Sequence, residues 1–198
     1  MSALARLYEE IANCHQCELA KHRNRVVPGE GPEDANIVFV GEAPGWHEDQ
    51  QGRPFVGSAG QFLEELLASI GLKREQVYIC NVIKCRPPEN RDPLPIEIRT
   101  CQPWLDRQLE LIHPKLIVTL GRYSLARFFP GGTISKVHGK VRREGDISYY
   151  AMYHPAAALH QQSLRQTIQA DMLRIPSLLS QAEEVPATPD KPQQLSMF

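Results

Sequence analysis

The segment GEAPGWHEDQQGRPFVGSAG (41–60) places carboxylates and aromatic rings on a glycine-rich stretch of chain. Its five glycines and two prolines exclude a long regular helix or strand, so we predict a loop, called the glycine-rich loop below. Glu42, Glu48 and Asp49 could act as general bases or stabilise a positive charge. Phe55 offers an apolar ring face for stacking. These residue types together indicate a functional loop rather than a simple connection.

Two further polar side chains follow apolar stretches. Asn81 ends the run YICN, and His154 lies in YHPAA, soon after the run ISYYAM. An asparagine amide offers one acceptor and two donors in one plane. An imidazole can donate a hydrogen bond to an oxygen that becomes negative during a reaction. Taken alone, Asn81 is also consistent with a turn cap, and a lone histidine is more often structural.

Five cysteines occupy positions 14, 17, 80, 85 and 101. Cys14 and Cys17 form a CxxC pair in a loop that ends a predicted helix, which does not suit thioredoxin-like chemistry. With Cys85 and Cys101 they could supply four thiolates to a zinc ion or to an iron–sulfur cluster, and spacing does not distinguish the two. The alternative is that all the thiols are free and buried. Cys80 lies within an apolar strand and is predicted to be a core residue.

Strands and helices alternate along the chain. Continuous apolar runs predict strands at 36–41, 76–85 and 115–121, and the segments GKVRR and ISYYAMYHP predict a hairpin or a fourth strand. Apolar residues at helical spacing predict helices at 3–12, 60–72, 95–112, 122–129 and 163–179. This alternation is typical of a three-layer α/β fold with a mainly parallel sheet. Function gathers at the carboxyl ends of such strands, where the glycine-rich loop, Asn81, Gly121 and His154 are expected.

The composition is that of an ordinary globular protein. The chain has 198 residues, of which 42% are hydrophobic and 23% charged, enough for one domain with its own core. No apolar run is long enough for a membrane span, and acids near the N-terminus do not fit a signal peptide, so we expect a cytoplasmic protein. The net charge of −1 argues weakly against a nucleic-acid binder, although basic residues cluster at 21–25, 84–91 and 136–143.

The end of the chain differs in composition. From Ser180 it reads SQAEEVPATPDKPQQLSMF, with three prolines and few apolar residues. We therefore predict one catalytic or binding domain at 1–179 and a disordered tail at 180–198. The last five residues, QLSMF, closely resemble the pentapeptide with which bacterial replication and repair proteins bind the sliding clamp. In that resemblance Gln194 makes polar contacts, while Leu195, Met197 and Phe198 fill an apolar groove.

Several segments together resemble one family. GEAPGWHEDQQGRPFVGSAG, CNVIKCRPPENRDP, LIVTLGR and YHPAA, with Cys14, Cys17, Cys85 and Cys101, are similar to the iron–sulfur (family 4) uracil-DNA glycosylases. The resemblance spans about residues 5–175. It implies a 4Fe-4S cluster on those four cysteines and hydrolysis of the N-glycosidic bond of deoxyuridine in DNA. It also implies a central four-stranded, mainly parallel sheet between helices.

For base recognition, the resemblance implies a pocket that contains Gly41, Ala43, Phe55 and Asn81. An aromatic face such as that of Phe55 stacks on a base for about 1–3 kcal/mol. Asn81 can accept the N3–H of uracil and donate to its O4. Cytosine reverses that pattern and would leave buried polar groups unpaired. The alternative for Phe55 is ordinary core packing.

For catalysis, the resemblance points to Glu42 and His154. A carboxylate near C1′ would stabilise positive charge on the sugar and orient water, and Glu42 directly follows the first strand. Glu48 and Asp49, further along the loop, are second choices. His154 would donate a hydrogen bond to O2 of the departing uracil, and removal of one such donor typically lowers the rate about 10²–10³-fold.

The expected DNA contacts surround this pocket. A helix N-terminus suits a phosphate, and the residues that lead into the helix after the glycine-rich loop are Gly57, Ser58, Ala59 and Gly60. Arg86, directly after the third cluster cysteine, is expected to meet a phosphate, with the cluster in a structural role. Leu159 is a candidate wedge into the DNA, with core packing as its alternative.

Other functions remain open at this point. A nucleic-acid-binding module with a structural zinc would explain the cysteines but leaves Glu42, Asn81 and His154 without purpose. A glycosylase of the same superfamily could act on another damaged base. A nucleotide-binding enzyme is disfavoured because the chain lacks a Walker lysine pattern and a dinucleotide fingerprint. Some relatives carry a histidine in a basic insertion where this chain reads RPPENRDP and attach covalently to DNA, so we expect ordinary turnover by a monomer here.

Overall fold

One sheet forms the centre of the structure, a computed structural model that describes residues 1–183. Its strands are β1 (Ile37–Gly41), β2 (Tyr78–Asn81), β3 (Leu116–Leu120), β4 (Val141–Glu144) and β5 (Ile147–Met152). Their order across the sheet is β2-β1-β3-β5-β4. The first four strands in that order run parallel, and β4 pairs antiparallel with β5 at the edge.

The strand sequences explain this arrangement. β1, β2 and β3 are buried along their whole length and carry continuous apolar residues, as expected for parallel strands covered on both faces. β4 reads VRRE and is mostly exposed, as suits an edge strand. The predicted α/β class and its parallel strands are confirmed. The expected count of four strands is one too few, because GKVRR pairs with ISYYAM as a hairpin and adds β4.

Helices cover both faces of this sheet. Their bounds are α1 (Ala3–Ala12), α2 (Trp46–Gln51), α3 (Ser58–Ser69), α4 (Pro95–Ile112), α5 (Arg122–Phe128), α6 (Ile134–Val137), α7 (Pro155–His160), α8 (Ser163–Met172) and α9 (Ile175–Glu183). α1, α4 and α5 contribute to one apolar cluster with Val38 and Val40 of β1. α3, α8 and α9 contribute to a second cluster with Ile37 and Phe39, which point to the opposite face. The predicted three layers are therefore present.

Two helix boundaries differ from the prediction. α3 begins at Ser58 rather than at 60, because Gly57 takes an extended conformation and acts as its N-cap. The single helix predicted at 163–179 is two helices, α8 and α9. Pro176 lacks an N–H and its ring would clash with the carbonyl of Met172, so one helix cannot continue through this point.

The domain boundary is shifted in the same region. α9 continues to Glu183, so the helix extends beyond the boundary predicted at 179. The rest of the predicted tail, including the terminal pentapeptide, lies outside the described residues. Within residues 1–183, no helix is both long and apolar enough to cross a membrane.

The sheet register brings distant residues to one edge. Gly41 at the end of β1 lies beside Asn81 at the end of β2. Leu120 at the end of β3 lies beside Met152 at the end of β5. Because these strands are parallel, their carboxyl ends meet on the same side of the sheet. The segments that follow them, which carry Glu42, Gly121 and His154, are therefore neighbours.

Candidate active site

The carboxyl ends of the parallel strands open onto a cleft. One part, of about 390 Å³, is lined by Ala43, Gly45, Glu48, Phe55, Ala59, Asn81, Asn90, His154, Ala156 and His160. A second part, of about 240 Å³, contains Glu42 and is also lined by Ala43 and His154. The structure thus brings the predicted catalytic pair and most of the predicted base pocket into one cleft. Asn90 and His160 were not predicted as site residues, although Asn90 lies within the quoted segment CNVIKCRPPENRDP.

Asn81 faces this cleft from the end of β2. Its side chain is 1% exposed, and its Oδ1 has no hydrogen-bond partner among residues 1–183. A buried amide oxygen without a partner is costly, about 1–3 kcal/mol, and such atoms call for an explanation such as a ligand. Gly41 makes room for it, since a Cβ at Gly41 would lie 2.4 Å from Asn81 Oδ1 and 2.6 Å from a ring atom of Phe55.

Phe55 packs in the core and also lines the cleft. It is only 5% exposed and belongs to the apolar cluster under α3, yet its ring also lines the cleft. Its ring centroid lies 5.4 Å from that of His154, with the two planes 23° apart. Its backbone has a φ of 52°, a left-handed conformation that is uncommon for a bulky residue.

Glu42 lies directly after β1 and is held at its carboxylate. Its Oε1 accepts a hydrogen bond of 3.1 Å from the backbone N–H of Tyr123 at the start of α5. Burial raises the pKa of Glu42, and the backbone N–H groups of Tyr123 and Arg122 oppose that shift. The result is a carboxylate that is a stronger base than an exposed one but still has donors that favour its charged form.

Gly121, which the sequence predicts at a strand end where function gathers, permits this arrangement. It follows β3 with a φ of 94°, and a Cβ there would lie 2.4 Å from Glu42 Oε1 and 3.1 Å from His154 Cβ. A glycine between an apolar strand and a helix was the available signal, but it did not show which side chains would approach.

His154 caps the start of α7 through its own ring. Its Nδ1 accepts a hydrogen bond of 3.1 Å from the backbone N–H of Ala156. The ring proton of the neutral imidazole must therefore be on Nε2, which is free to donate. Burial lowers the pKa of His154 to about 4, so the neutral form persists at physiological pH.

The carboxylates of Glu48 and Asp49, the second choices for catalysis, hold the glycine-rich loop in place. Asp49 is fully buried and accepts hydrogen bonds from the backbone N–H of Asn24 (2.9 Å) and from its side chain. Glu48 accepts from the backbone N–H groups of Gly45 (3.1 Å), Val56 (2.9 Å) and Gly57 (2.9 Å). These contacts leave Glu42 as the best placed of the three carboxylates for chemistry.

The predicted phosphate contacts after this loop are only partly accessible. Ser58 is exposed and Ala59 lines the cleft. Gly57 donates its N–H to Glu48. Gly60 is buried, and a Cβ there would lie 1.9 Å from the carbonyl oxygen of Phe55, so this glycine serves close packing rather than a phosphate.

The other predicted DNA contacts lie on the rim. Leu159 on α7 is 48% exposed, so the alternative of core packing is wrong. Arg86 is half-buried and donates to Asn90 Oδ1 at 2.7 Å. Arg91, at the end of the basic cluster 84–91, is bound to Glu97 at 2.6 Å.

The four predicted cluster cysteines line one cavity separate from the cleft. Its lining is Ile11, Cys14, Gln16, Cys17, Ala20, Arg23, Lys84, Cys85, Thr100, Cys101 and Trp104. Arg23 donates to Cys85 Sγ at 3.2 Å, and the backbone N–H of Lys84 donates to Cys101 Sγ at 3.3 Å. Burial raises the pKa of both thiols, that of Cys101 to about 12.

A metal geometry is not preformed in this cavity. Across residues 1–183, no group of three or more His, Cys, Asp or Glu side chains is arranged to hold a metal ion. Trp104 lines the cavity with a buried Nε1–H that has no hydrogen-bond partner in the described part of the chain. Cys80 is fully buried and does not line the cavity, in agreement with its predicted core position.

The shift at His154 predicts a specific pH dependence. The folded state protonates His154 near pH 4, whereas an unfolded chain protonates it near pH 6.5, so the unfolded state binds more protons between these values. Stability from this residue is therefore complete above pH 6.5 and is lost as the pH falls toward 4. NMR titration should show the His154 ring signals, assigned by their loss in His154→Gln, titrating near pH 4. A midpoint near pH 6.5 would contradict the buried neutral ring.

Comparison with known proteins shows which family this chain belongs to. A family model described as the uracil DNA glycosylase superfamily matches residues 28–174. The chain is 47% identical to a type-4 uracil-DNA glycosylase of Sulfurisphaera tokodaii, over 90% of this chain and 86% of that protein. It is 49% identical to a type-4 uracil-DNA glycosylase of Archaeoglobus fulgidus, over 90% of this chain and 94% of that protein. A type-5 uracil-DNA glycosylase of Pyrobaculum aerophilum is 32% identical, over 74% of this chain and 79% of that protein. The chain therefore belongs to the uracil DNA glycosylase superfamily, and within it to the type-4 uracil-DNA glycosylases.

Proposed function

We propose that this protein removes uracil from DNA by hydrolysing the N-glycosidic bond of deoxyuridine, which leaves an abasic site for base excision repair. The observation that carries this function is the buried, unpaired Oδ1 of Asn81 in a cleft that also holds Phe55 and His154. The N3–H of uracil is a neutral donor that can pair with this oxygen. The names of the relatives agree with this substrate.

Recognition of uracil would rest on Asn81 and Phe55. The Oδ1 of Asn81 accepts N3–H, and its amide N–H donates to O4. Cytosine presents an acceptor at N3 and a donor at N4. Its binding would place acceptor against acceptor and donor against donor, and each buried unpaired group would cost about 1–3 kcal/mol of binding free energy. Phe55 stacks on the flipped base and offsets part of the unstacking cost, which is a few kcal/mol. Gly41 and Ala43 shape the wall of this pocket.

Bond cleavage would be shared between His154 and Glu42. The bond between C1′ and N1 breaks, and its electron pair leaves with uracil, so negative charge develops at O2. The Nε2–H of His154 donates to that oxygen without a change in its own charge. The carboxylate of Glu42 stabilises the cationic sugar and orients a water molecule. The water oxygen forms a bond to C1′, and the water proton passes to Glu42 and then to solvent.

DNA would approach the rim of the cleft. Ser58 and Ala59 lie at the start of α3, where backbone N–H groups can face a phosphate. Leu159 is exposed on α7, directly beyond His154, and can fill the gap left by the flipped nucleotide. We place Arg86 beside the flanking backbone, and we expect the protein to act as a monomer in the cytoplasm.

We also propose that Cys14, Cys17, Cys85 and Cys101 hold a 4Fe-4S cluster. All four line one cavity, where Arg23, the Lys84 amide and the unpaired Trp104 N–H provide donors of the kind that stabilise thiolates and sulfides. When bound, the cluster would supply a structural cross-link between the segment after α1, the end of β2 and α4. Hydrolysis itself requires no electron transfer.

A separate proposal concerns the last five residues, 194–198. Their sequence QLSMF resembles a sliding-clamp-binding pentapeptide, and this resemblance alone supports the proposal. Binding to the clamp would bring the enzyme to newly replicated DNA.

The proposed activity predicts base release that is selective for uracil. Protein purified without air is incubated with oligonucleotides containing U, T, C or hypoxanthine, and abasic sites are then cleaved with alkali. We expect cleavage at U alone, loss of activity in Asn81→Ala and Glu42→Gln, and a decrease of about 10²–10³-fold in His154→Ala. Glu75→Gln, an exposed acid outside the cleft, serves as the control and should behave like wild type.

The other outcomes are equally informative. Absence of release from folded, iron-containing protein would favour a nucleic-acid-binding module. Release of a different base would keep the fold and the mechanism but change the substrate.

The proposed cluster predicts different effects for two buried cysteines. Cys85→Ala should lose iron and acid-labile sulfide, fold in lower yield and bind DNA more weakly. Cys80→Ala, which alters a buried cysteine outside the cavity, should retain both elements. Iron, sulfide and zinc are measured in the purified proteins. Zinc in place of iron, or normal folding and DNA affinity in Cys85→Ala, would refute the proposal.

The proposed clamp motif predicts a change in binding without a change in activity. Deletion of 194–198 should abolish pull-down by a purified bacterial sliding clamp and leave uracil release as in wild type. A matched deletion of 186–190 removes the same length and should preserve the pull-down. Unchanged pull-down after deletion of 194–198 would show that this segment is not the clamp-binding element.

A further inference from the structure

Phe55 holds an unfavourable backbone conformation that the surrounding chain must maintain. A left-handed φ for a non-glycine residue is unfavourable and persists only when neighbouring groups determine it. Strain of this kind is typical of functional sites, and the ring of Phe55 lines the cleft. The groups that hold this backbone therefore control where the ring lies.

We propose that Arg74 is the positioning residue that holds Phe55 in its stacking orientation. Arg74 lies in a short 3-10 turn, Arg74–Gln76, between α3 and β2, and it is not among the residues that line the cleft. This inference rests on the proposed stacking of Phe55 on uracil, and it adds a residue that acts through Phe55 alone.

The hydrogen bonds of Arg74 reach both sides of Phe55. Its Nη1 donates to the carbonyl oxygen of Phe55 at 2.9 Å, and its Nη2 donates to the carbonyl oxygen of Pro54. These two carbonyls belong to the peptide planes that flank the Cα of Phe55. Because the guanidinium is a rigid planar fork, binding both planes restrains φ and ψ of Phe55 together.

Other contacts also restrain the backbone around Phe55. Glu48 accepts from the N–H of Val56, the next residue along the chain. Gly60 packs so closely that a Cβ there would lie 1.9 Å from the carbonyl oxygen of Phe55. The peptide plane after Phe55 is therefore enclosed between α3, Glu48 and Arg74.

Arg74 is itself buried and fixed. Its side chain is 8% exposed, and it forms ion pairs with Glu30 at 3.3 Å and Glu64 at 3.5 Å. Its Nε is buried without a hydrogen-bond partner among the described residues, an uncompensated cost. An unpaired buried Nε would not be expected of a residue that only stabilises the fold. It is expected of a guanidinium whose position is set by the two carbonyl groups that it binds.

Arg53 provides a matched control. It binds the same Glu30, at 2.7 Å, but its side chain is 53% exposed and no hydrogen bond joins it to Phe55 or Pro54 in the described chain. Comparison of Arg74→Met with Arg53→Met therefore separates the carbonyl contacts from the shared ion pair. Arg74→Lys keeps the charge beside Glu30 and Glu64 but lacks the planar fork, so it remains informative if Arg74→Met folds poorly.

The test combines a kinetic cycle with a spectroscopic signature. We expect Arg74→Met and Arg74→Lys to slow single-turnover uracil release by about tenfold or more, because small misplacements of a contact group lower rates strongly. The rate of Arg53→Met should stay within about twofold of the wild-type rate. In a Phe55→Ala background, Arg74→Met should cause no further loss. NMR should also show that the contact between the Phe55 and His154 rings is lost in both Arg74 variants and kept in Arg53→Met.

Each result bears on one proposal. Equal slowing by Arg74→Met with and without Phe55 would overturn the positioning role, and so would a ring contact that persists in both Arg74 variants. A Phe55→Ala enzyme with unchanged activity would remove the stacking role and the inference with it. If wild-type protein released no uracil, the proposed function would fail, while the ring contact would still decide whether Arg74 positions Phe55.

Discussion

The close approach of Asn81, Phe55 and the backbone of Gly41 is the contact on which the cleft depends. The parallel register of β1 and β2 places Gly41 beside Asn81, and even one added carbon at Gly41 would overlap both neighbouring side chains. Gly121 likewise leaves room for the side chains of Glu42 and His154 to approach each other. The absence of side chains at two strand ends, rather than the bulk of the lining residues, therefore allows the pocket groups to converge.

Most charges buried near the cleft maintain the shape of the glycine-rich loop. A loop of this length is stable only if its backbone groups find partners, and Glu48 and Arg74 provide them from side chains. Asp49 instead ties the loop to the backbone and side chain of Asn24. Glu42 differs because it faces the cleft from a rigid strand end, where burial raises its pKa. The same physical effect lowers the pKa of His154, so one environment prepares a basic carboxylate and a neutral donor.

Lys84 connects the cysteine cavity to the carboxyl end of β2. Lys84 is 1% exposed, and its Nζ donates to the carbonyl oxygen of Asn81 at 2.8 Å. Its backbone N–H donates to Cys101 Sγ at 3.3 Å. The buried Lys84 side chain therefore links the cysteine cavity directly to the backbone of Asn81.

The sequence by itself determined the α/β class, the parallel strands, the four convergent cysteines and the grouping of Glu42, Asn81 and His154 at the strand ends. The fold class and the grouping at the strand ends follow from local periodicity, from glycine and proline positions and from the order of elements. The set of four cysteines follows from the CxxC pair together with the family resemblance. Only the tertiary structure decided which acids serve the loop, that Leu159 is exposed, and that Gly121 and Arg74 shape the site. Those properties depend on approaches between residues far apart along the chain, at distances that spacing and residue type do not encode.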